Sequence, residues 1–171
     1  IVVSNILKMT NAAKRRAREN ALTDGVLVAL RRIIRANDMR SREIAKQTGL
    51  TTAQLVVLRA IATLGEVTTR TISEQVSLSP ATVTTIMDRL SERGFVERYR
   101  SESDRRVVHT RLTRKGRTTL SRAPVLLHEL FSDRFTRLPQ SEQRIIVENL
   151  ERVARMMDAG EIDAAPLLIA D

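Results

Sequence analysis

Apolar residues recur at helical spacing through most of this chain, and one short stretch alternates instead. Val26, Leu27, Leu30, Ile33 and Ile34 form a first stripe, with Arg31, Arg32 and Arg35 between them. The pattern predicts a helix that opens near Thr23 and Asp24, continues weakly through Ile44 and stops at Gly49. A second helix is expected after Thr51 and Thr52, an N-cap pair. It carries Leu55, Val56, Leu58 and Ile61 and ends near Gly65. Two short helices joined by a tight turn at Ser77 and Leu78 follow. The first runs from about Thr69 to Val76, with Ile72 and Val76 facing inward. The second opens at Ser79 and Pro80, where the serine oxygen can cap a free backbone donor and the missing proline N–H costs nothing. Val83, Ile86, Met87 and Leu90 are its buried stripe, and Gly94 ends it.

The period then changes. Residues 95–100 and 107–112 are β-rich and alternating, and the polar loop 101–106 joins them, so a hairpin is predicted directly after the short helix. The remainder returns to helix. One segment starts near Thr113 and carries Leu120, Leu126, Leu127, Leu130, Phe131 and Phe135, with a kink or axis shift expected at Pro124. A last helix begins near Pro139 and shows Ile145, Ile146, Leu150, Val153, Met156 and Met157. The fold class expected is mainly α with a small β-hairpin wing. Residues 1–22 read as a flexible basic tail, 23–50 as an N-terminal dimerisation helix and 51–117 as a winged helix-turn-helix lobe. Residues 118–158 read as C-terminal dimerisation helices and 159–171 as a tail.

Charge sharpens this picture. The net charge of +9 is divided as +8 over residues 1–65, +4 over 66–117 and −3 over 118–171. A basic body with an acidic end fits a nucleic-acid face joined to an interaction element. Residues 98–117 hold eight basic side chains, Arg98, Arg100, Arg105, Arg106, Arg111, Arg114, Lys115 and Arg117, against Glu102 and Asp104. Arginine at a hairpin tip can enter the minor groove. Asp104 is expected to hold one of the arginines through a charge-assisted hydrogen bond. The plainer alternative is a solvated charged turn. The exposed start of the short helix presents Ala81, Thr82, Thr84 and Thr85, with Arg89 further along. Small hydroxyl residues suit close approach to base edges, and the N–H groups near Ala81 and Thr82 can hold a phosphate. An ordinary exposed helix face is the alternative there.

Composition closes off other classes. The chain has no cysteine, so it offers no disulfide, thiol sensor or thiolate metal site. Its two histidines, His109 and His128, have no carboxylate cluster beside them in sequence, and no metal or cofactor is implied. The four aromatic residues, Phe95, Tyr99, Phe131 and Phe135, are too few to stack single-stranded bases. No apolar run approaches the roughly 20 residues of a membrane span, which makes a cytoplasmic protein without membrane contact the default. The chain opens on Ile1 rather than methionine, which leaves the native start open. No phosphate loop or ordered nucleophile, histidine and acid is present, so an enzyme is not expected.

Three segments together resemble the MarR (multiple-antibiotic-resistance regulator) family. They are Leu78 to Val96, reading LSPATVTTIMDRLSERGFV; Asp104, Arg105 and Arg106; and Leu112 to Gly116, reading LTRKG. The resemblance covers residues 23–158. It implies a homodimer with interlaced N- and C-terminal helices and two lobes on double-stranded DNA. It implies that Arg106, with Arg105, reaches the minor groove, that Asp104 braces the wing, and that Ser79, Pro80, Ala81, Thr82, Thr84, Thr85 and Arg89 lie at the major groove. Many members carry arginine near the positions of Thr84 and Thr85, and this departure leaves base specificity open here. Residues 30–35 (LRRIIR) and 48–54 (TGLTTAQ) further resemble the sub-group that controls osmolyte (ectoine) synthesis genes.

Dimerisation also follows without the resemblance. One lobe reads only a few base pairs, and a two-fold site supplies the rest. The stripes of residues 120–157 exceed what one small lobe can cover, although a monomer using them as its own core is the alternative. The family resemblance also implies a small-molecule effector where the dimer helices meet the lobes. Arg31 and Arg35 are candidate anion ligands there, with surface ion pairs as the plainer reading. The rival to a transcriptional repressor is a winged-helix protein-interaction module, which would not need six net positive charges on its hairpin.

Overall fold

A computed structural model describes the backbone of residues 2–76, 78–101, 104 and 106–162, and side chains from residue 20 onward. The chain divides into two compact units, Ile1–Arg40 and Ser41–Asp171.

The first unit is helix throughout its described length. It belongs to α1, which runs Val2–Thr48. The helix therefore begins at Val2, not near Thr23, and the expected flexible tail over 1–22 is not observed. The reason is propensity. Residues 11–20 lack an apolar stripe but are rich in alanine, lysine, arginine and glutamate, which favour helix without one. Along the unit's outer length Leu22, Val26, Leu27, Val28, Ile33, Ile34 and Met39 are all exposed.

The second unit is built around α2 (Thr52–Leu64). Thr51 caps it by accepting from the Gln54 N–H, and Gln54 returns the favour by accepting from the Thr51 N–H at 3.1 Å. Leu55, Val56, Val57, Leu58, Ala60 and Ile61 are all buried, so this helix is apolar on nearly every side. Each of the leucine, valine and isoleucine side chains contributes about 1.5–3 kcal/mol relative to exposure. Around α2 pack α3 (Thr69–Val76), α4 (Pro80–Glu92), α5 (Arg114–Arg122) and the second strand of a hairpin. That hairpin is β1 (Val96–Arg100) against β2 (Val108–Leu112), antiparallel, with Val96 opposite Leu112 and Arg100 opposite Val108. Val67 extends it by exchanging two backbone bonds with Thr110. The fold is thus mainly helical with one two-stranded wing.

Pro124 does more than kink a helix. It separates α5 from α6 (Leu127–Phe135), and Ala123 is extended at φ −70°, ψ 137°, as the residue before a proline must be. Arg59 of α2 fixes the break: it donates to the Pro124 carbonyl at 3.0 Å and pairs with Glu129. Leu126 is fully buried there. The last helix, α7 (Gln140–Met156), and α6 bury no residue completely, although His128 of α6 is half-buried. No helix among the described residues is long and apolar enough to cross a membrane.

Candidate nucleic-acid interface

The turn between α3 and α4 is held by the Ser73 hydroxyl, which donates to the Leu78 carbonyl. Ser77 of the expected turn lies outside the described residues. Ser79 caps α4 and accepts from the Thr82 N–H at 3.1 Å. Pro80 follows at the first helical position. The buried residues of α4 are Val83, Ile86, Met87 and Leu90, the stripe read from the sequence. Its other side leaves Ser79, Pro80, Ala81, Thr82, Thr84, Thr85 and Arg89 exposed, so the sequence-predicted set shares one continuous face. One detail changes. The Thr82 N–H is committed to the serine cap, so the phosphate donor expected from Ala81 and Thr82 together narrows to Ala81.

The passage from α4 to the wing is fixed at Phe95. Gly94 adopts φ +69°, a conformation costly for residues with a Cβ. Phe95 is buried and its N–H donates to the Leu90 carbonyl at 2.9 Å. Its own carbonyl accepts from the N–H of Thr113 at 3.1 Å, and the Thr113 hydroxyl donates chiefly to the neighbouring Gly94 carbonyl at 2.7 Å. Thr113 in turn caps α5 by accepting from the Gly116 N–H at 3.1 Å. A Cβ on Gly116 would collide with the Phe95 carbonyl oxygen, which explains the glycine of the LTRKG segment.

The eight cations of residues 98–117 divide into two groups. Arg98 pairs with Asp88 of α4 at 2.7 Å. Arg111 pairs with Glu97 at 2.7 Å and lies 3.7 Å from Glu66, with its guanidinium 5.0 Å from the Tyr99 ring centre. Lys115 donates to the Arg93 carbonyl at 2.7 Å, and Arg117 to the Leu112 carbonyl at 2.8 Å. These four serve the fold. Arg100, Arg106 and Arg114 are exposed, and Arg105 lies outside the described residues. Asp88, Glu66 and Glu97 were not singled out by sequence reasoning, and only their pairing across the fold reveals them.

Asp104 braces the wing through the backbone. Its carboxylate accepts from the backbone N–H of Arg106 at 2.9 Å, because a side chain of this length reaches the amide two residues on. The Val107 N–H donates to the Asp104 carbonyl and the Ser101 N–H to the Val107 carbonyl, both at 2.9 Å. These bonds close the tip and leave Arg106 exposed upon it.

Elsewhere, Arg31, Arg32 and Arg35 are exposed on α1 in the first unit. His109 stacks on Tyr99 across the strands at 5.6 Å between ring centres. His128 lies beside the Arg59–Glu129 pair, and burial holds its imidazole below the ordinary histidine pKa. Among the described residues no group of three acidic or histidine side chains could hold a metal.

Residues 50–108 match the MarR family. The transcriptional repressor MprA of Escherichia coli strain K12 is 35% identical over 83 residues, which is 46% of this chain and 47% of that protein. The chain therefore spans about half the length of the curated relatives it matches. Among solved structures, a MepR-like protein complexed with pseudoligands is similar with 26% identity and a TM-score of 0.55, over 78% of this chain and 94% of that one. The PcaV transcriptional regulator of Streptomyces coelicolor, in complex with its natural ligand, has 26% identity and a TM-score of 0.53, over 75% and 91%. With α3, the capped α4 and the hairpin in their expected order, the lobe is a winged helix-turn-helix, and its residues 50–108 match the MarR family.

Proposed function

We propose that this chain is a transcriptional regulator that binds double-stranded DNA as a homodimer on a palindromic operator. The observation that carries the proposal is the pairing of two exposed tools on one rigid base. The hydroxyl-rich start of α4 suits the major groove, and the Arg106-tipped wing suits the adjacent minor groove. The Phe95 joint and the Asp88–Arg98 pair hold the two together. Ser79, Pro80, Ala81, Thr82, Thr84, Thr85 and Arg89 form the proposed major-groove face, and Asp104, Arg105 and Arg106 the wing.

Uncovered apolar surface supports a dimer. Phe131, Ile145, Val147, Leu150, Met156 and Met157 are exposed on the C-terminal helices, and Leu22, Val26, Leu27 and Ile33 on α1. Such surface on both terminal elements is what an extensive two-fold interface would cover. Two lobes would then read half-sites about one DNA turn apart. Repression is the direction taken from MprA, and response to a small molecule is taken from the ligand-bound PcaV structure. Arg31 and Arg35 remain proposed anion ligands. The working place of such a regulator is the cytoplasm, with the DNA.

Duplex binding measured against salt concentration tests the reading. Affinity should fall steeply and linearly on logarithmic axes, and Arg106→Ala should weaken specific binding by about 1–3 kcal/mol. Absence of duplex binding at low salt overturns the proposal.

A further inference from the structure

The threonines of α4 carry an inference that rests on the DNA-binding reading and makes it specific. Thr84 and Thr85 are exposed, yet the proton of each hydroxyl is already placed. Thr84 Oγ1 donates to the Pro80 carbonyl at 2.8 Å, and Thr85 Oγ1 to the Ala81 carbonyl at 3.1 Å. A hydroxyl owns one proton and two lone pairs. With the proton turned inward to the helix, each side chain offers a partner only an accepting oxygen and a methyl group. The exposed Ala81 adds a further methyl. Ser79 and Thr82 are partly committed as well. Their oxygens lie 2.8 Å apart, so one of the two protons is shared between them.

The bases that suit such a surface follow from the major-groove pattern. Guanine offers two acceptors, N7 and O6, and needs donors opposite them. Adenine sets an amino donor beside its N7 acceptor, and thymine a methyl group beside its O4 acceptor, so neither presents two acceptors side by side as guanine does. A guanine beneath Thr84 and Thr85 would lose water from its acceptors and gain no donor in return, which is the costly case. An A·T pair instead gives its adenine amino hydrogen to a threonine oxygen and its thymine methyl to a methyl-lined surface. Cytosine also has an amino donor, but its pair has no methyl and brings the guanine acceptors with it. The next exposed donor on the stripe 81, 85, 89 is Arg89, one turn further along α4. We propose that Thr84 and Thr85 select A·T pairs and exclude guanine at the positions they face, with Arg89 the next donor on their side of α4.

Selection of bound duplexes from random sequence by the full chain supplies the operator. That operator is then rebuilt with two base analogues. Deoxyuridine in place of thymidine removes the methyl group, and 2-aminopurine in place of adenine removes the amino group from the major groove while keeping the pair. Each replacement, at one or two positions per half-site, should lower affinity by about threefold to tenfold. Thr85→Val keeps shape and methyl but loses the oxygen, so it should lose sensitivity to 2-aminopurine and keep sensitivity to deoxyuridine. Thr85→Arg should shift the selected base to guanine. The inference is overturned if the wild-type chain is indifferent to both analogues. It is equally overturned if it selects guanine at a position whose discrimination disappears in Thr84→Val or Thr85→Val. The analogues leave the protein untouched, so no folding defect can imitate the result. Failure to bind any duplex at low salt would instead remove the broader DNA-binding reading, and is distinguishable because no operator would then be recovered.

Discussion

The winged lobe and the C-terminal helices both carry apolar stripes, and only the lobe covers them. In α2 seven of thirteen residues are buried, whereas α6 and α7 bury none completely over nine and seventeen residues. The lobe's stripes meet one another because α3, α4, α5 and the hairpin all close on α2. The stripe of α7 faces outward, with Ile145 and Leu150 about half exposed. A sequence period therefore shows that a face is apolar and not what covers it. Residues in the two regions should respond to substitution in different observables: folding in one, association in the other.

The largest expected effect tests the C-terminal side. Leu150→Asp places a charge in the proposed interface and should abolish dimerisation, read as a halved sedimentation mass, while the lobe stays folded by circular dichroism. An unchanged mass breaks the comparison. In the lobe, Leu58→Ala empties a fully buried site and should lower unfolding free energy by about 2–5 kcal/mol in a urea titration. A loss comparable to that of an exposed residue would contradict the packing. Gly116→Ala forces a methyl against the Phe95 carbonyl and should cost about 1–3 kcal/mol by the same measurement. Arg111→Ala should leave the salt slope of duplex binding unchanged, because Arg111 already pairs with Glu97, whereas Arg106→Ala should reduce it by about one. Equal slopes for the two variants would erase the division of the wing cations.

The smallest effect lies at the junction of the two regions. Burial chiefly, with Arg59 adding to it and Glu129 opposing, holds His128 below its ordinary pKa. The unfolded chain then binds this proton more tightly than the folded one. The contribution to stability is complete above a pH of about 6.5 and falls away as pH drops through that value. His128→Gln should flatten the urea midpoint over that range relative to the parent chain, and an identical pH dependence in both proteins would refute the assignment.

Local signals were readable from the sequence and remote ones were not. The α4 stripe of Val83, Ile86, Met87 and Leu90 was legible because helical periodicity is local, and the caps at Thr51 and Ser79 because a cap spans three residues. The start of α1 was missed because helix propensity without an apolar stripe resembles a solvated tail. The hairpin's charge was legible in total, but its division was not. Arg98 finds Asp88 ten residues away, and Arg111 finds Glu66 forty-five residues away through the fold. The break at Pro124 needed Arg59, sixty-five residues earlier, to hold it. The reach of Asp104 to the amide two residues on is also a local contact. Arg105, the second wing arginine, lies outside the described residues.

The single peptide at Phe95, gripped from α4, from Thr113 and by the approach of Gly116, has a consequence for how this molecule could let go of a site. Helix and hairpin cannot be retracted one at a time without tearing that grip. In the proposed dimer, a signal that ends occupancy would therefore act on the distance or tilt between whole reading heads, and errors in the two grooves of one half-site should compound rather than simply add.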